Sequence, residues 1–96
     1  MNALLTINRP PALEEDLVDY LLSLESVDGF TSYDVKGHGD HVNLSIAEQV
    51  SGRKNRKQFE ILIDSQDYEA IVGGLLDSVG KDVLFWQSAI QKHGQT

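Results

Sequence analysis

The 96-residue chain contains no cysteine, which excludes a disulfide, a thiolate zinc site and thiol catalysis and is compatible with a reducing compartment. It is also short of positive charge. Eight Lys and Arg against 15 Asp and Glu give a formal charge of -7, which argues against a general affinity for nucleic acid or for an anionic membrane. No stretch approaches the roughly 18 apolar residues of a membrane span. The opening MNALLTINRPP carries no basic segment before its brief apolar run, so neither a signal peptide nor membrane insertion is expected and a cytoplasmic location is the default. No nucleophile elbow, metalloprotease helix or phosphate-binding P-loop occurs, and the chain is not expected to be an enzyme.

What is present is enough for one core. With 41% hydrophobic and 24% charged residues, the length suits a single soluble domain spanning 1–96. Ala3 to Asn8 is a short apolar run stopped by Pro10 and Pro11, which favours a strand. Leu13, Leu17, Leu21 and Leu24 share one helical face, widened by Val18 and Leu22, and Glu14, Glu15 and Asp16 complement the helix dipole in the first turn. Phe30 to Lys36 has strand composition. Residues 38–57 are polar and are expected to form a long loop. Phe59, Ile61 and Ile63 alternate with more polar positions in a third strand. Asp64 or Ser65 can cap a second helix with an apolar stripe from Tyr68 to Val79, closed by Gly80. Gly73-Gly74 would cost that helix roughly 1 kcal/mol each relative to alanine, and close approach to the sheet is the expected compensation. Val83 to Ile90 supplies the last strand.

The order strand, helix, strand, strand, helix, strand predicts an α+β fold, the ferredoxin-like βαββαβ sandwich, with both helices on one face of a four-stranded antiparallel sheet. The opposite face then carries some of Leu4, Leu62, Leu84 and Trp86 without cover. Burial of that face in a homo-oligomer is expected, with Trp86 as an anchor.

With that order in place, Tyr33-Asp34-Val35-Lys36-Gly37-His38-Gly39 resembles the Val-Lys-Gly-Phe-Gly segment that ends strand two in PII nitrogen-regulatory signal proteins. Phe59-Glu60-Ile61-Leu62-Ile63 is similar to that family's Ile-Glu-Ile-Val-Val third strand, and Ile7-Asn8-Arg9-Pro10 to its Ile-Ile-Lys-Pro. The resemblance is to a small, divergent PII-like family. It implies a trimer, a T-loop over 38–57 that contacts a partner protein, and nucleotide binding in the cleft between subunits at the base of that loop. Three departures qualify this. The second glycine-rich loop of PII proteins is here only Val79-Gly80-Lys81-Asp82, which removes backbone N–H groups that would cradle phosphates. The loop holds no tyrosine for uridylylation. His41 takes the place of the glutamine that assists magnesium, which suits a softer ion.

Three readings of Val35 to His41 compete. Gly37 and Gly39 can simply let the chain leave its strand, with His38, Asp40 and His41 solvated. His38, Asp40 and His41 can hold a divalent transition metal such as zinc, copper or nickel. Gly37 and Gly39 can instead join the basic cluster Arg53, Lys54, Arg56 and Lys57 in binding an anionic ligand, nucleotide being the weaker expectation. The functional expectation is a PII-like signal-transduction protein acting through its loop. The alternative is a metal-binding or heavy-metal-tolerance protein of the CutA-like group, which shares the fold and the trimer.

Overall fold

The computed structural model describes residues 2–11, 16–38 and 54–96, with only the backbone of Lys54. Gly39, Asp40, His41 and Arg53 lie outside the described residues, as do Leu13, Glu14 and Glu15, where the first helix was expected to begin. The elements are β1 (Asn2–Arg9), α1 (Asp16–Leu22), β2 (Thr31–Gly37), β3 (Lys54–Asp64), a 3-10 turn (Ser65–Asp67), α2 (Tyr68–Gly73), α3 (Leu75–Ser78) and β4 (Leu84–Ala89). The strands form one sheet in the order β2-β3-β1-β4, and every neighbouring pair is antiparallel. This is the expected βαββαβ sandwich. Among the described residues no helix is long and apolar enough to cross a membrane.

The period of two in the strands sets the layers. Ala3, Leu5 and Ile7 of β1 stand opposite Ile63, Ile61 and Phe59 of β3, and all six are buried. Leu17 and Leu21 of α1, Ile71 of α2 and Leu75 of α3 close the same core from the helix side. Successive side chains on a strand point to opposite faces, so the even-numbered positions of β1 and β3 face away from the helices.

The expected loop over 38–57 is shorter at its C-terminal end. The β2–β3 ladder runs on through Asp34↔Lys57, Val35↔Arg56 and Lys36↔Asn55 to Gly37↔Lys54, so residues 54–57 are strand. Polar composition concealed this, because β2 is an edge strand whose partner there needs no apolar side chains. α1 ends at Leu22, earlier than the apolar spacing implies, and Leu22 is exposed although it extends the apolar face.

The second helix is broken at Gly74 rather than continuous. Asp64 caps the preceding turn by accepting from Gln66 N at 3.0 Å, and this hydrogen bond to the ionised form holds its carboxyl below the ordinary carboxylate range. Gly80, at φ +105°, closes α3 by donating to the carbonyls of Leu75 and Leu76, each at 3.1 Å. The expected close approach at Gly73-Gly74 is made to a helix and not to the sheet. A Cβ on Gly74 would overlap the Tyr20 hydroxyl of α1, whereas one on Gly73 would meet nothing within 4 Å. The Tyr20 hydroxyl donates to the Ile71 carbonyl at 2.6 Å, crossing from α1 to the interrupted helix.

Candidate functional site

The face of the sheet opposite the described helices has an apolar half and a polar half. In the apolar half, Leu4 of β1 pairs in register with Leu62 of β3, and Leu84 and Trp86 of β4 point the same way. Leu62 is 44% exposed, Leu84 58% and Trp86 43%. All six residues of β4 are exposed, including Phe85, which faces the helices and stacks obliquely on Tyr68 at 6.5 Å. Among the described residues, the open face predicted from the alternation is therefore present, with the residues expected on it.

The polar half is built on Arg56. Its position in β3 turns its side chain to the open face, yet the residue is only 5% exposed, because its guanidinium is wrapped by hydrogen-bond partners. Nε donates to Asn8 Oδ1 at 2.6 Å, and one terminal nitrogen donates to the Asn8 carbonyl at 2.9 Å and to the Asp82 carbonyl at 3.1 Å. The other terminal nitrogen donates to Asp82 Oδ2 at 3.0 Å. Asn8 Nδ2 in turn donates to Gln58 Oε1 at 3.0 Å, and Gln58 Nε2 donates to Tyr33 Oη at 2.9 Å. The chain of contacts thus runs from the turn before β4 across β1 and β3 to β2. A buried guanidinium requires this degree of satisfaction, since an ionised group taken from water without partners costs several kcal/mol.

Beside this network is a cleft of about 370 Å3 bounded by Val35, Gly37, His38, Arg56, Asp82 and Leu84. Three residues singled out from the sequence, Gly37, His38 and Arg56, therefore meet at one place. His38 is exposed at its rim. Of the basic cluster, the two described side chains, Arg56 and Lys57, lie apart. Strand alternation sends Arg56 to the open face and Lys57 to the helix face, where Lys57 Nζ lies 3.9 Å from Asp34 Oδ1. Lys36, on that same side, donates to Asn55 Oδ1. Asn8, Gln58, Tyr33 and Asp82 were not anticipated as site residues. Two polar residues at facing positions of otherwise apolar strands, Asn8↔Gln58, were the available signal.

On the described side of this cleft, the turn before β4 presents the Asp82 carboxylate, and Arg56 is engaged by it. Among the described residues no group of three or more histidine or acidic side chains could hold a metal ion. Of the residues proposed from the sequence as metal ligands, His38 alone belongs to the described set. His93 has its Nε2 2.5 Å from Asn2 Nδ2 and ties the tail to the start of β1.

No curated protein matches the chain. Among solved structures, a protein from Thermus thermophilus described as PII-like signaling superposes with a TM-score of 0.64 at 19% identity, over 91% of this chain and 84% of that one. The fold is thus that of PII-like proteins. A DUF3240 family protein from Shewanella baltica superposes with a TM-score of 0.80 at 21% identity, over 99% of this chain and 96% of that one. The family model described as "Protein of unknown function (DUF3240)" matches residues 1–96, and the chain belongs to that family.

Proposed function

We propose that this is a non-enzymatic PII-like regulatory protein. It assembles as a trimer through its open sheet face and passes a small-ligand or metal signal to a partner protein through the segment between β2 and β3. The observation that carries the reading is the open face itself. Leu62, Leu84 and Trp86 are large apolar residues grouped beside an ordered polar network, as an interface has an apolar core and a polar margin. Assembly there would extend the cleft at Gly37, His38 and Arg56 with residues of a second copy. A ligand held in such a composite site can bias the segment that starts at Gly37, because it binds one arrangement of that segment better than another. The likeness to a protein bearing a PII-like signaling name supports the same reading.

The test is a thermal melt of the purified protein against ATP, ADP, cyclic nucleotides, inorganic oxyanions and zinc, copper or nickel ions, because a specific ligand raises the melting temperature by mass action. A concentration-dependent rise with one class supports a ligand-responsive regulator. A rise confined to the metals, lost in a His38→Ala, His41→Ala variant, would favour the CutA-like alternative. No rise with any of them would contradict ligand input and leave a module that only binds protein.

A further inference from the structure

The cleft beside Arg56 contains a charged pair whose two members are unequally exposed. Arg56 is 5% exposed, but the Asp82 side chain facing it is 48% exposed. The guanidinium is fixed from beneath by Asn8, through both the side-chain and the backbone oxygen. Asp82, by contrast, sits in a turn of left-handed backbone, at φ +62°, a region a non-glycine residue seldom adopts. It follows Gly80, itself at φ +105°. One partner is thus anchored in the sheet, and the other is held over it from the solvent side by a turn with two residues of positive φ.

We propose that Arg56 is the base of an oxyanion site and that the Asp82 carboxylate is its built-in occupant, so that an external oxyanion enters only by taking the place of Asp82. A carboxylate and a phosphate present the same acceptor oxygens to a guanidinium fork, and the cleft of about 370 Å3 adjoins the nitrogen that Asp82 occupies. The bond from Arg56 to the Asp82 carbonyl does not use the side chain, so removing the carboxylate exposes one donor while this backbone tie to the turn is kept. Displacement by a ligand would release the side chain that pins the turn before β4 to the sheet. It would thereby change the surface next to Leu84 on the open face. The inference deepens the ligand side of the proposed function and rests on it, but its test reads the exchange at Arg56 whatever the state of assembly.

The experiment is isothermal titration of inorganic phosphate into the wild-type chain and into Asp82→Gly and Asp82→Asn, both of which suit positive φ. Each is also titrated with Arg56→Gln added, and melting curves of every protein establish that it is folded. Phosphate is expected to bind either single variant at least about tenfold more tightly than wild type, and the gain is expected to vanish when Arg56 is replaced. Wild type binding phosphate as tightly as the folded variants would overturn the proposal. So would folded variants that gain no affinity, or a gain that survives Arg56→Gln.

Discussion

At the scale of single residues, the two adjacent glycines of the second helix separate a propensity effect from a packing effect. Gly73 has open space where a Cβ would be, whereas Gly74 is pressed against Tyr20. Gly73→Ala is therefore expected to stabilise the protein by roughly 0.5–1 kcal/mol, since it removes backbone freedom from the unfolded chain and meets nothing in the folded one. Gly74→Ala is expected to cost about 1–3 kcal/mol, because the ring must move and the bond from its hydroxyl to Ile71 is lost with it. Melting temperatures of the two variants check this, and shifts of the same sign would contradict the account. Asp64 offers a second test. Its folded-state carboxyl titrates below the ordinary value because it accepts from Gln66 N, so the stability it contributes is present above the unfolded value, near pH 4, and is lost as pH falls through the folded value. Asp64→Asn keeps an acceptor without charge. Its deficit in melting temperature relative to wild type should be constant near neutrality and should close in acid; a deficit that does not vary with pH would argue against the charged cap.

At the scale of elements, β3 organises the molecule. It pairs with both β1 and β2, and its alternation delivers Phe59, Ile61 and Ile63 to the core and Arg56, Gln58 and Leu62 to the open face. The strand was legible in the sequence from Phe59 onward because apolar alternation marks a half-buried strand. Its first residues were not, since Lys54 to Lys57 pair with an edge strand and carry no apolar signal. The helix interruption was visible as an unfavourable Gly-Gly pair, but its partner was not, because Tyr20 and Ile71 lie 51 positions apart. For the same reason the Arg56–Asp82 pair, 26 positions apart, was beyond local reading. The segment from Val35 to Gly37 was legible as the end of β2, whereas the parting of Arg56 and Lys57 to opposite faces was not, because the paired residues of β3 before Phe59 carry no apolar signal. The pairing makes a specific demand on β3: it needs a planar fork. Arg56→Lys is expected to cost roughly 1–3 kcal/mol, because an ammonium cannot reach Asn8 and Asp82 together. That corresponds to a fall of roughly 4–8 °C per kcal/mol for a domain of this size. An unchanged melting temperature would show that the network contributes nothing to the fold.

At the scale of the whole molecule, α1, α2 and α3 share one side of the sheet, and no other described element covers the opposite side. β4 shows the consequence most clearly, being exposed along its whole length while carrying Leu84, Phe85 and Trp86. A monomer would keep that surface in water at a cost of about 25 cal/mol for each Å2 of apolar area. Assembly of identical chains removes the cost without requiring any further partner, and closed rings are the usual result when the joined surfaces differ. Sedimentation equilibrium at micromolar concentration tests this claim directly, with Trp86→Glu as the comparison. The account predicts a mass about three times the 10.7 kDa of one chain for wild type and a lower mass for the variant. A wild-type protein sedimenting at the mass of one chain would contradict it.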